Sequence, residues 1–330
     1  MRARNGETGA PLIVLMFHGL VDHLPSYATF AETRTCQLRV SDFAGIVESC
    51  ARRYRFVRLA DISRYLNGEA TEIGVLVTFD DGLSSTCELG VPILLRYGVT
   101  ATLFVTTGWI DAGVSPPIFA LEQELWARIP VRLGVQAQDF SYEADVRSHG
   151  SSGTEIARLW SALFAHGCAP LALRKENFCF DGRPWSESVA EGHEGLWRPA
   201  TWDALRSAVR SGALEIGAHG ATHAPWTWLS ASALDDELAS VRARLEAEFD
   251  RPVETCAYPH GISDPETREN ASAVFKWAFG TGPRLAAPGV DPANLPRFHV
   301  PSERPNGLFS VVSWPLVGRA LRKGTGLLGL

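Results

Sequence analysis

The chain has 330 residues, enough to bury a large core, with 45% hydrophobic and 21% charged residues; this is ordinary globular composition rather than a disordered or fibrous one. A formal net charge of −6 without a long basic run disfavours a nucleic-acid partner. The six cysteines are scattered and none forms a CxxC pair, which disfavours a cysteine zinc site and fits reduced, mostly buried thiols; nothing in the pattern supports a Cys168–Cys179 disulfide.

Met1 to Pro11 is polar. Leu12 to Phe17 is apolar but too short for a signal core or a membrane span, so the expected location is the cytoplasm. Leu12 to Phe17 reads as a first strand ending at His18-Gly19. Ser41 is expected to cap a helix to about Arg53, with Phe43, Ile46, Val47 and Cys50 on one face. A buried strand over Ile73 to Phe79 and a helix over Ser85 to Tyr97 follow, the helix stopping at Gly98. Thr100 to Thr106 reads as the next strand.

The stretch 108–199 breaks this rhythm. It mixes helical patterns at Glu122 to Ile129 and Thr154 to His166 with polar loops, and reads as an insertion or lid inside one domain spanning 1–330. Its Trp126, Trp160, Trp185 and Trp197 fit either a sugar-stacking lid or a core. Beyond it, Thr201 caps a helix to Ser211, and Leu214 to Gly217 is a strand. Ser230 opens a long helix with a packing stripe at Leu234, Leu238, Val241, Leu245 and Phe249. Val253 to Tyr258 is a strand, Asp264 starts a helix, and Trp277 to Gly280 and Arg297 to Val300 are final strands. Alternating strands and helices imply a parallel α/β fold. The apolar-basic segment 308–330 fits a helix packed on the barrel or, in a second reading, a peripheral membrane contact.

Chemistry concentrates at strand ends. Asp80 and Asp81, in Thr78-Phe79-Asp80-Asp81-Gly82, follow a buried strand. Two adjacent carboxylates there are costly unless a cation or proton is shared. One can bind a metal while the other handles a proton. His219 and His223, in His219-Gly220-Ala221-Thr222-His223, have the spacing of two ligands on a helical turn. Two imidazoles and a carboxylate would leave positions open for water and substrate. Ala257-Tyr258-Pro259-His260-Gly261 is a rigid turn whose backbone N–H can face the site. In Leu295-Pro296-Arg297-Phe298-His299-Val300, alternation puts Arg297 and His299 on one face. His18 and Tyr258 are candidate substrate contacts; His23, His149, His166 and His193 read as surface residues.

These motifs, in this order, resemble the polysaccharide deacetylases, the NodB-homology or carbohydrate esterase family 4 proteins. The likeness covers about Leu12 to Phe104 and Pro199 to Val300, outside the insertion. LMFHG and IGAHGATH resemble a branch associated with exopolysaccharide and glycolipid synthesis. The resemblance implies a distorted (β/α)7 barrel with a long insertion. It also implies a metal-dependent hydrolase that removes N-acetyl groups from amino sugars of a glycan, glycolipid or small glycoside. By position Asp80 matches the base, and Asp81, His219 and His223 match the ligands of a divalent metal, typically Zn2+, with Co2+ or Ni2+ also functional. The backbone N–H of His260 matches the oxyanion donor, and His299 the acid. Much of the family has an Arg at the start of the third motif; here Ala257-Tyr258 stands there, and Arg297 is the expected replacement as partner of Asp80. His260 stands where Tyr or Phe is more usual. An O-acetyl esterase or other amide hydrolase on the same scaffold is the alternative, and a catalytically silent glycan-binding protein the third reading.

Overall fold

The buried apolar runs become parallel strands. A computed structural model describes residues 9–168, 173–185 and 196–300. Its main sheet contains β1 (Leu12–Phe17), β2 (Gly74–Phe79), β3 (Ala101–Val105), β4 (Leu214–Ala218), β5 (Thr255–Ala257), β6 (Trp277–Phe279) and β7 (Phe298–His299). They lie in the order β6-β5-β4-β3-β2-β1-β7, and every pairing is parallel. A short strand, Arg55–Phe56, adds to β2. Every residue of β1 and β2 is buried, because both faces of such a sheet are covered and neither can be polar.

The sheet curls until its edges meet. Leu295 N donates to Ala278 O at 2.8 Å, and Gly280 N donates to Leu295 O at 2.9 Å. Three residues later β7 pairs with β1, Leu15 opposite Phe298 and Met16 opposite His299. The segment 295–299 therefore joins both edges and closes the distorted (β/α)7 barrel.

Helices cover the outside. Val40–Ala51 buries Phe43, Ile46, Val47 and Cys50, and Ala231–Phe249 buries the whole expected stripe. Thr201, Ser230 and Asp264 cap their helices, accepting from Ala204 N, Ala233 N and Thr267 N. Ser41 does not cap: its helix begins one residue earlier, after Arg39. The helix expected from Ser85 starts as a wide turn, Thr86–Gly90, and becomes regular over Val91–Tyr97. Gly98, at φ +64°, ends it.

The stretch 108–199 holds more strand than its sequence reading allowed. Val131–Ala137 and Phe140–Val146 form an antiparallel hairpin, extended by Phe178–Phe180 and Arg183–Pro184. Helices Pro117–Arg128 and His149–Ala165 pack on it, and Leu121, Leu125, Leu133, Ile156, Leu159 and Leu163 share one core. Glu122 ties this layer to the barrel by accepting from the backbone N–H groups of Thr29 and Phe30. The six cysteines form no disulfide, so Cys168 and Cys179 are unlinked. Among the described residues no helix is long and apolar enough to cross a membrane. The segment 308–330 and His193 lie outside the described residues.

Where the insertion begins, Gly108 N donates to Ala221 O at 3.0 Å, in the loop after β4. A Cβ at Gly108 would collide with that carbonyl oxygen. Gly108→Ala should therefore displace the loop and cost about 1–3 kcal/mol, measured as a fall in the denaturation midpoint. An unchanged midpoint would show that the two backbones are not in contact.

Candidate active site

Every candidate group sits where a barrel strand ends, the face on which side chains from several strands converge. His18 follows β1, Asp80 and Asp81 follow β2, His219 follows β4 and His260 follows β5. Arg297 and His299 come from the closing segment.

Asp80 and Asp81 are both buried. Asp81 has φ +76°, a conformation that side chains rarely adopt, and this turns two neighbouring carboxylates toward different partners. Asp80 receives both terminal nitrogens of Arg297, Nη1 to Oδ1 at 2.5 Å and Nη2 to Oδ2 at 2.8 Å. Arg297 is 1% exposed. Its Nε donates to Gly280 O at 3.0 Å, and its guanidinium lies 5.2 Å from the centre of the Phe104 ring. Burial alone would raise the pKa of Asp80; the Arg297 charge, with His219 and the Arg297 hydrogen bonds, outweighs it and holds the carboxyl below its ordinary range. Arg297 thus occupies the place expected for a charge partner that the third motif lacks.

Asp81 faces the two histidines. Its Oδ1 is 3.3 Å from His223 Nε2 and 3.7 Å from His219 Nε2. The donor atoms of Asp81, His219 and His223 lie within 4.8 Å of one another, all buried. His219 Nδ1 donates to Ala257 O at 2.9 Å, leaving Nε2 as the acceptor that faces the carboxylates. A backbone carbonyl behind an imidazole is the usual way to orient a metal ligand. A buried carboxylate oxygen facing two imidazoles, with no hydrogen bond of its own, fits a divalent ion. The five residues 219–223 are not helical, contrary to the HxxxH expectation. Gly220 at φ +83° and His223 at φ +60° curl them into a loop, which stacks the His223 ring on Trp109 at 5.4 Å. Ala221 N, bonded to Glu237 Oε1 at 2.7 Å, holds the loop down.

The groups surround a cavity of about 250 Å³. His18, His260, Arg297 and His299 line it from the barrel, and Trp160, Trp197 and Phe119 from the insertion. Phe119 and Trp197 stack at 3.8 Å. The four tryptophans therefore divide: Trp160 and Trp197 face the cavity, Trp185 packs against Phe178 and Phe180, and Trp126 against His149. Tyr258 corrects an expectation. It is fully buried, its hydroxyl donates to Ala293 O at 2.6 Å, and it does not line the cavity, so it packs rather than contacts substrate. His23, His149 and His166 are exposed, as expected. Trp109 and Phe119 were missed, although Trp109 stands three residues past Thr106 at the end of β3, where such a contact could have been sought.

Burial pushes three imidazoles down: His219 and His299 to about 4, and His260 to about 3. Unfolded histidine takes up its proton near 6.5. Between those values the unfolded metal-free chain binds more protons than the folded one, so stability is full above about pH 6.5 and falls as pH drops toward 4. The urea midpoint of metal-free protein should follow that course; a flat midpoint from pH 7 to 4 would mean the rings are not held neutral. Arg297→Met should leave Asp80 a buried unpaired charge and cost about 3–5 kcal/mol, read by the same titration at pH 7. A loss below about 1 kcal/mol there would show the pair is not buried.

The polysaccharide deacetylase family model matches residues 67–158 and 175–274, so it takes in most of the insertion that the motif likeness left out. No curated protein sequence matches the chain. Among solved structures, the deacetylase PplD of Streptococcus pyogenes, in complex with acetate, aligns at TM-score 0.60 and 15% identity over 90% of this chain and 95% of that one. IcaB from Ammonifex degensii aligns at TM-score 0.56 and 19% identity, over 95% and 97%. A de-N-acetylase from Aggregatibacter actinomycetemcomitans aligns at TM-score 0.52 and 13% identity, over 90% and 97%. At these identities the likenesses show a shared fold, and the family match, over more than half of the sequence, shows that the chain belongs to the polysaccharide deacetylases.

Proposed function

We propose that the protein is a metal-dependent N-deacetylase that hydrolyses the acetamide of an amino sugar in a glycan, glycolipid or small glycoside. The observation that carries this reading is the buried Asp80 carboxylate bonded through both oxygens to Arg297, beside the Asp81–His219–His223 donor set. A divalent ion held by Asp81, His219 and His223, zinc by donor chemistry with cobalt or nickel able to substitute, would polarise the substrate carbonyl and acidify water.

The chain's own groups handle the protons. Asp80, with both oxygens bonded to Arg297, points one way only and accepts a proton from the attacking water. The water oxygen bonds to the acetyl carbon, and the backbone N–H of His260 donates to the oxyanion that forms. His260 sits at φ +58°, a conformation that re-aims the backbone of this turn. The C–N bond then breaks as His299 protonates the amine. Burial keeps His299 neutral at rest, so its proton has to arrive during turnover. Asp80, which lines the same cavity, is the source that balances the cycle. His18 and the faces of Trp160 and Trp197 are the proposed substrate contacts; an aromatic face suits the apolar side of a sugar ring.

Zinc-loaded protein should release acetate from N-acetylated amino sugars, lose that activity on chelation and regain it with zinc. Asp80→Asn should lower the rate about 100- to 10,000-fold while metal content stays at the wild-type level. Full activity in the metal-loaded variant would remove Asp80 as the base. Acetate release from O-acetyl esters alone would favour the esterase. No release from a broad panel with metal bound would favour a silent glycan-binding protein.

A further inference from the structure

A second cluster of ligating side chains lines the same cavity as Asp81. Gly19–Val21 pairs in parallel with Gln37–Arg39, which brings Cys36 next to His18 at the end of β1 and His299 in β7. One donor atom from each of His18, Cys36 and His299 lies within 4.8 Å of the other two. The two rings stand perpendicular, 5.6 Å apart. His18 Nδ1 and His299 Nε2 are buried without a hydrogen-bond partner. The His299 ring is oriented by a hydrogen bond with the Thr35 backbone, the outer support typical of imidazole ligands. Cys36 is 6% exposed and in no disulfide.

Two imidazoles and a thiol form a softer donor set than Asp81 with its two histidines, and suit zinc-class ions rather than magnesium or calcium. Zinc bonds nitrogen at about 2.0–2.1 Å and sulfur at about 2.3 Å, so two nitrogens and one sulfur in tetrahedral positions stand about 3.3–3.6 Å apart. Donors already within 4.8 Å reach that spacing by side-chain rotation. The three share no member with the Asp81 set.

We propose that His18, Cys36 and His299 form a second, thiolate-containing metal site whose occupation stops the enzyme. On binding, Cys36 releases its proton to solvent and its sulfur bonds the ion. The lone pair of each imidazole is donated to the same ion. A His299 nitrogen bonded to metal holds no proton to give, so the second ion acts as a brake under metal excess. The site stands on geometry alone; the braking effect rests on the proposed acid role of His299.

The full chain, stripped of metal and titrated with Co2+, should bind two ions, one of them with a thiolate-to-cobalt charge-transfer absorption. Cys36→Ser should lose that band and one ion; Asp81→Asn should lose the other ion and keep the band. A single ion in wild type, no thiolate band, or a band that survives Cys36→Ser would overturn the site. If Cys36→Ser does not fold, the X-ray absorption of zinc-loaded wild type decides: sulfur in the zinc shell supports the site, and nitrogen and oxygen alone overturn it. Zinc beyond one ion per chain should also lower acetate release about tenfold or more. Two bound ions, one on sulfur, with undiminished release would overturn the brake and the acid role of His299, and leave the site standing.

Discussion

The Asp80–Arg297 pair organises the active centre. A carboxylate buried at the top of an apolar barrel is tolerable only if its charge is matched and its lone pairs are used. Arg297 does both, with two nitrogens on Asp80, a third on Gly280 O, and its plane near the Phe104 ring. Once Asp80 is committed to this partner, Asp81 has to find another. Its reversed backbone turns it to His219 and His223. Two identical neighbours thus acquire separate partners through one guanidinium and one unusual φ.

The insertion contributes a wall. Its hairpin and two helices share an apolar core with Val21, Phe30, Cys36 and Leu83, so the aromatic side chains over the barrel mouth are anchored to the barrel's own loops. The stacked Phe119 and Trp197, with Trp160 beside them, narrow the approach to Asp81, His219 and His223. Trp109, in the short helix Thr107–Ala112 where the insertion begins, stacks against His223. The 219–223 loop is therefore clamped between a buried indole, the Glu237 carboxylate and the Gly108 backbone, which limits how far His223 can wander from Asp81.

Much of this was legible in the sequence, for a physical reason. Buried parallel strands read as unbroken apolar runs, and polar residues at their ends stand out. Asp80, Asp81 and His219 stand out that way, and Arg297 and His299 by alternation with Phe298 and Val300. What escaped depends on tertiary neighbours. Tyr258 stands at a strand end like the others, yet its phenol runs into the core to Ala293. The spacing of His219 and His223 fits a helical turn or a loop equally well, and Gly220 decides for the loop. The hairpin was written plainly in Phe140-Ser141-Tyr142-Glu143-Ala144-Asp145-Val146, which alternates with the period of a strand. Cys36 carries no local signal, because only the pairing of Gly19–Val21 with Gln37–Arg39 brings it to the cavity.

The barrel is shut by its last described strand, and that strand carries Arg297. The carboxylate it neutralises lies 217 residues earlier in the chain. Asp80 therefore has no guanidinium of this segment to meet until residues 295–299 have been made and docked. Any fragment that stops short of residue 295 therefore leaves the Asp80 carboxylate without the partner that balances its charge.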